Sequence, residues 1–192
     1  QMIAKGLDFG NVTLVGVLAA DSLLHIPDFR SAEKTFQLLT QVSGRAGRHE
    51  LPGEVVVQTY TPNHYSVELA GQYDYEGFFQ YEMRTRKTFH YPPYYFLALI
   101  TLSHPNHPYV IQSAQRVVKM LRGEVDEKTI ILGPTPSPLL RVKDRYRYQC
   151  MIKYKNDKNL QVTVKKILKS FEEEMLKRDL QIIVDFQPYQ MM

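Results

Sequence analysis

Cysteine occurs once in the 192 residues, at Cys150, so this sequence holds neither a disulfide framework nor a thiolate zinc cluster. No run approaches the roughly 20 apolar residues that a membrane span requires, and the first residues do not read as a signal peptide. A G-x-x-x-x-G-K-[S/T] loop is also missing, which excludes the usual cradle for a nucleoside triphosphate. The histidines, His25, His49, His64, His90, His104 and His107, are too scattered for a metal site, and His104 and His107 read as a polar loop around Pro105. What is present is ordinary for a folded chain: 44% hydrophobic and 23% charged residues, with room for one medium domain or two small ones.

The formal charge of +4 is unevenly divided. Residues 1–71 carry five Lys/Arg against seven Asp/Glu, whereas residues 72–192 carry nineteen against thirteen. A basic excess confined to one part suggests an anionic partner, with nucleic acid the first candidate. A solvated basic surface explains the same balance equally well.

Val12 to Leu18 is a short apolar run rich in β-branched residues and predicts a buried strand of a parallel sheet. A Pro-containing loop through Ile26-Pro27-Asp28 precedes a helix over Ala32 to Val42, with Phe36, Leu39 and Val42 on one face. After a Pro52-Gly53 turn, Glu54 to Tyr60 predicts a second strand, completing an α/β unit with a right-handed crossover. A further helix spans Asp74 to Phe89, with Asp74 as cap, Tyr75, Phe78, Phe79 and Met83 as a core or interdomain stripe, and Arg84, Arg86 and Lys87 at its cationic end. Tyr91-Pro92-Pro93-Tyr94 stops it and predicts an extended backbone.

The remainder reads β-α-β-β-α-β, the split βαβ arrangement. Its strands are Tyr95 to Leu102, Thr129 to Leu132, Tyr146 to Tyr154 and Leu180 to Phe186, with Gly133 to Pro138 as a rigid turn. One helix begins near Pro108 and buries Val110, Ala114, Val117, Val118 and Leu121. Another is long, marked by Leu160, Val164, Ile167, Leu168, Phe171 and Met175. The resulting division is residues 1–71, a connecting helix and Pro-Pro linker at 72–93, and a C-terminal domain at 94–192.

Chemistry concentrates in Gln41-Val42-Ser43-Gly44-Arg45-Ala46-Gly47-Arg48. Two arginines three apart, each preceded by glycine, can bring both guanidinium forks to one anion, such as a transferring γ-phosphoryl group. By itself the string also fits a basic loop at a helix end. Upstream stands Ala4-Lys5-Gly6-Leu7-Asp8, directly before the first strand. The pair resembles motifs V (G-x-D) and VI (Q-x-x-G-R-x-G-R) of superfamily 2 helicases in order, spacing and intervening strand. Pro27 to Leu39, Tyr91-Pro92-Pro93, Gly133-Pro134 and Val184-Asp185 extend the likeness, and the whole sequence resembles the PriA family of primosomal replication-restart helicases.

That resemblance implies a part of the second RecA-like helicase lobe followed by an α+β C-terminal domain. It implies ATP and magnesium held between two lobes, with the phosphate loop and the D-E-x-H motif on a first lobe that this sequence does not contain. Arg45 and Arg48 would act on the γ-phosphate as catalytic residues, and Gln41, Gly6 and Asp8 would complete the ATP contacts, Asp8 near the ribose. Lys5 belongs to the loop coupling ATP to the DNA strand. The family's zinc is bound through cysteines that this sequence lacks. Leu7 and Gly10 depart from the pattern, where a polar residue and a proline are expected, but neither removes a proposed contact.

The family's C-terminal domain contributes to binding of forked and single-stranded DNA, and docks the acidic tail of single-stranded DNA-binding protein. Other primosome proteins are further partners, a membrane is not, and a bacterial cytoplasmic location at replication forks is implied. Arg141, Lys143, Arg145, Tyr146, Arg147 and Tyr148 are the candidates for DNA, cations for phosphates and tyrosines for unpaired bases. Along a strand the arginines would share one face and the tyrosines the other, which also fits tyrosines in a core and arginines in solvent. Lys155, Lys158 and Gln161 are the candidates for the partner tail. A docking module with no catalytic part is the alternative, and a different superfamily 2 translocase is a third reading. In every helicase reading this sequence alone should lack ATPase activity.

Overall fold

The structure is a computed structural model that describes residues 12–47, 52–189 and 191. It is mixed α/β and divides into two compact units, residues 1–86 and 87–192.

In the first unit, β1 (Leu14–Val17) and β2 (Glu54–Val57) pair in parallel, with Val15 opposite Val55 and Val17 opposite Val57. The buried strands expected from the apolar run are shorter and more open than predicted. Leu14 and Val56 are largely exposed, because no described element covers the second face of this two-stranded sheet. The second strand stops before Thr59 because the chain turns to wrap the buried Asp21 carboxylate. Asp21 accepts bonds from the hydroxyls of Thr59 (2.6 Å) and Thr61 and from the amides of Tyr60 and Thr61. Those donors, the Thr59 hydroxyl foremost, hold its carboxyl well below the usual carboxylate range.

Helix α1 (Ser31–Ser43) follows a loop ordered by Asp28, which accepts the Arg30 amide and guanidinium at 2.9 Å and the Lys34 ammonium at 3.4 Å. α2 (Tyr65–Gly71) and α3 (Tyr75–Thr88) complete the unit, the latter capped as expected by Asp74 on the Gly77 amide. Phe36 of α1 stacks on Phe78 of α3 with ring centroids 4.1 Å apart. Burying each ring contributes about 2–3 kcal/mol, and the stacking adds about 1 kcal/mol. Tyr75 and Phe79 of the predicted stripe are partly open to solvent, 64% and 44% exposed, and the buried place beside Phe78 belongs to Glu82. Its carboxylate accepts Arg86 at 2.8 Å and the Tyr65 hydroxyl at 2.6 Å, while Arg86 reaches Glu33 of α1 at 2.7 Å.

The second unit contains β3 (Phe96–His104), α4 (His107–Glu124), β4 (Ile130–Val142), β5 (Arg145–Tyr154), α5 (Leu160–Ser170), α6 (Glu172–Lys177) and β6 (Gln181–Phe186). The sheet order is β4-β5-β3-β6, with every neighbour antiparallel, as the split βαβ pattern requires. Ala98, Ile100 and Leu102 of β3, with Cys150 and Ile152 of β5, pack against Val110, Ala114, Val117 and Leu121 of α4 and Leu160, Val164 and Ile167 of α5.

Three local expectations are corrected. Gly133 to Pro138 is not a turn but part of the long edge strand β4. An edge strand has amides that face outward without partners, so prolines are tolerated, and residues 137–140 bulge out of register with β5. Gly133 has φ +104, and a Cβ there would lie 2.9 Å from the Gln149 carbonyl oxygen. The long final helix is broken at Phe171, whose fully buried ring anchors the bend while the Ser170 hydroxyl bonds back to the Ile167 carbonyl. Tyr91 to Tyr95 is compact rather than extended, because the amides of Tyr94 and Tyr95 both donate to the Tyr91 carbonyl, at 3.0 and 3.3 Å. Lys153 holds this turn against β5: its buried ammonium donates to the Phe89 carbonyl at 2.8 Å and lies 3.5 Å from the Tyr91 ring centroid.

Two positions carry measurable consequences for stability. The β4–β5 hairpin closes through Lys143 and Asp144 alone, both at positive φ (49° and 60°), the geometry of a type I′ turn that favours Asn-Gly. Lys143→Asn should therefore stabilise the unit by about 0.5–1 kcal/mol, read as a raised midpoint in denaturant; a lowered midpoint contradicts the turn assignment. Asp157 joins the start of α5 to the start of β4, accepting the Thr129 hydroxyl (2.6 Å) and the amides of Asp126, Asn159 and Leu160. Burial opposes ionisation of Asp157, but these bonds outweigh it and its carboxyl lies below its ordinary value. Its contribution is present above the unfolded carboxyl's pKa and is lost as pH falls through the lower folded value. Asp157→Ala should cost about 1–2 kcal/mol at neutral pH, and the difference from the parent chain should shrink in acid titration.

Candidate nucleotide and nucleic-acid surfaces

The string singled out in the sequence lies at the C-terminal end of α1. Gln41 is on its last turn and exposed, and Arg45, half-buried, follows Gly44 in the turn that ends the helix. Lys5, Gly6, Asp8 and Arg48 lie outside the described residues. α1 is a firm carrier for this end. Asp28 orders its start, Glu33 ties its flank to Arg86, and Phe36 seats it on Phe78. Glu82 is the member of that arrangement that sequence reasoning missed. A signal existed, since it stands four residues from both Phe78 and Arg86, on the buried side of α3. After the turn, Gly53 passes against Ala46 and Gly47 so closely that a Cβ would sit 2.2 Å from the Gly47 nitrogen.

In the second unit, the six candidates around the β4–β5 hairpin do not form one surface. Tyr146 and Tyr148 point to the helix side of the sheet and pack at the edge of the core. His107 of α4 stacks on Tyr146 with centroids 4.5 Å apart, and its Nε2 is 3.1 Å from the Tyr148 hydroxyl. Arg141 lies over the Tyr146 ring and pairs with Asp144 at 2.9 Å. Arg145 is held in place by Ser103, with its Nε 3.2 Å from the hydroxyl and a terminal nitrogen 3.0 Å from the carbonyl, and by the carboxylate of Asp179.

Lys143 and Arg147 differ, because neither side chain has a hydrogen bond or ion pair among the described residues. Both border a groove of about 320 Å³ on the sheet face opposite the helices. Leu99, Val142 and Ile183 supply its apolar surface, and Thr101 and Gln181 its neutral polar groups.

The three residues expected to take a partner tail are only partly together. The Lys155 ammonium lies 4.8 Å from the Tyr95 ring centroid and lines a hollow of about 400 Å³ with Lys128, Asn156 and two acidic residues, Asp126 and Asp157. Lys158 and Gln161 are exposed at the start of α5 but do not line it. No cluster of His, Cys, Asp and Glu among the described residues could hold a metal ion. Burial pushes the Cys150 thiol up to about 12, which leaves it unreactive at neutral pH. No described helix is long and apolar enough to cross a membrane.

Comparison with known proteins places the sequence in a family. The family model described as "Primosomal protein N C-terminal domain" matches residues 87–189, nearly the whole second unit. A "Replication restart protein PriA" from Bacillus subtilis (strain 168) is 58% identical over all 192 residues, which cover 24% of that protein. Proteins of the same name from Synechocystis and Chlamydia muridarum are 46% and 38% identical over 154 and 188 residues, 80% and 98% of this chain and 18% and 25% of theirs. The chain thus spans about a quarter or less of the relatives it matches. Residues 87–189 are a primosomal protein N C-terminal domain, and the chain belongs to the PriA family.

Proposed function

We propose that this chain is the C-terminal part of an ATP-driven DNA helicase that restarts replication at stalled or repaired forks. The observation that carries the reading is the placement of Gln41 on the last turn of α1 and Arg45 in the turn that follows, on a helix anchored through Glu33 and Phe36, within a chain 58% identical to a replication restart protein. A guanidinium presented from a rigid helix end is suited to charge developing on a γ-phosphoryl group, because it need not reorganise as the charge forms. In this reading Arg45 and Arg48 contact the γ-phosphate and Gln41, Gly6 and Asp8 the rest of ATP with its magnesium. Lys5 couples the nucleotide to DNA. The phosphate loop and the zinc ligands belong to other parts of a longer protein that works at replication forks in the cytoplasm.

The second unit serves as the grip on DNA and the dock for other primosome proteins. Its basic balance, and Lys143 and Arg147, which have no ion-pair partner among the described residues, support the first role. For an acidic, apolar tail, as on single-stranded DNA-binding protein, the contacts in this reading are Lys128 and Lys155 beside the Tyr95 ring, with Lys158 and Gln161 outside that hollow; Asp126 and Asp157 line it too, and Asp157 is occupied by the Thr129 hydroxyl and backbone amides. A docking module alone would leave the glycine-flanked arginines without a use.

In the full-length helicase, Arg45→Ala or Arg48→Ala should lower DNA-stimulated ATPase by at least about 100-fold, with DNA affinity retained. The 192-residue chain alone should hydrolyse no ATP above background. An ATPase rate unchanged by both substitutions refutes the assigned role.

A further inference from the structure

We propose that the groove beside the β4–β5 hairpin, on the sheet face opposite the helices, takes single-stranded nucleic acid, gripping the phosphate backbone through Lys143 and Arg147 and stacking no base on tyrosine. The proposal rests on the DNA-binding reading above and names the surface and the chemistry of the contact. Of the four cations in the hairpin, Arg141 and Arg145 already have carboxylate partners, in Asp144 and Asp179. Lys143 and Arg147 have none among the described residues, and both face the groove. Both tyrosines are on the opposite side, in contact with His107 and the core.

The turn provides an independent sign. Lys143 occupies a left-handed position, φ 49°, where Asn or Gly is locally preferred. A lysine held there against backbone preference points to a use for its charge rather than to folding.

The groove is also polarised. Arg147 is in register with Ser103 and Gln181, whereas Asp185 is in the row of Leu99, four residues along β3 and so roughly 13 Å away. Cations therefore stand at the hairpin end and a carboxylate at the other, with Thr101 and the exposed Ile183 between them. A nucleotide matches this layout: its phosphate meets Lys143 and Arg147 while its uncharged sugar and base lie over Ile183. The volume of about 320 Å³ is that of a small-ligand site, enough for one nucleotide of a strand.

The test is fluorescence anisotropy of the 192-residue chain with a fluorescein-labelled oligo-dT over a salt series. Lys143→Asn/Arg147→Gln should weaken binding by about tenfold or more and lower the log–log salt slope by about 1.4, since each phosphate contact on a single strand contributes about 0.7. Lys143→Asn alone is expected to be the more stable protein, so its loss of affinity cannot be ascribed to unfolding. Ile183→Glu should weaken binding with both cations intact. Arg145 is left untouched because it holds Ser103 and Asp179.

If the parent chain binds oligo-dT and the double variant binds equally well, with the same slope, the groove is excluded and the DNA-binding reading stands. If the parent chain does not bind oligo-dT, that reading fails for this unit, and the groove with it. Displacement of the oligonucleotide by a polyglutamate peptide more readily than by unlabelled oligo-dT overturns the proposal in favour of a peptide site.

Discussion

Strand β3 pairs with β5 on one side and β6 on the other, and both its faces are largely covered. In the observed register Ser103 is opposite Arg147 and Leu102 is opposite Tyr148. A slip by one residue would exchange the faces of every side chain on β5. Arg147 and the buried Lys153 would then turn toward the helices, and Ile152 and Cys150 toward the open side. Transferring those charges into the α4–α5 core without partners is far more costly than any gain at the surface. The core therefore selects the register, and the register places tyrosines with the helices and unpaired cations with the groove.

The first unit depends on a different kind of restraint. Its apolar core is small, gathered around Phe36, Leu39, Ala70 and Phe78. Polar networks supplement it: Asp21 closes the loop after β2, and Glu82 joins α2 and α3 while Arg86 carries the link on to Glu33 of α1. Each buried carboxylate has its acceptor positions occupied by several donors, as buried charge requires. Such networks hold α1 in position, and α1 carries Gln41 and Arg45. These contacts thus decide where the end of α1 that bears the motif residues lies within the unit.

Periodicity made most elements of the second unit legible. The apolar offsets of α4, the alternation in β5 and the β-branched run of β6 each depend on burial against one partner face, which writes a regular pattern into the chain. The failures share a cause. Gly133 to Pro138 looks like a turn because proline cannot donate a ladder bond, yet on an outer strand no bond is needed there. The break at Phe171 is hidden because Phe171 and Met175 continue the apolar spacing of α5. At the candidate site, the motif residues Gln41 and Arg45 were identifiable from spacing and resemblance, whereas Glu82 and Lys153 resemble surface charges until their neighbours are known.

The sequence by itself determined the family, the split βαβ order, the helix that carries Gln41 and Arg45, and the basic character of the hairpin, since all of these reside in local order and composition. Tertiary structure alone decided which of four neighbouring cations remain available. Arg145 is neutralised by Asp179, thirty-four residues distant, and Arg147 has no carboxylate partner among the described residues, although the two stand on the same face of one strand. Ion pairing acts over a few ångströms of space, without regard to separation along the chain. For that reason a run of basic residues gives the sign of a surface, and only the folded sheet shows which of those charges have carboxylate partners.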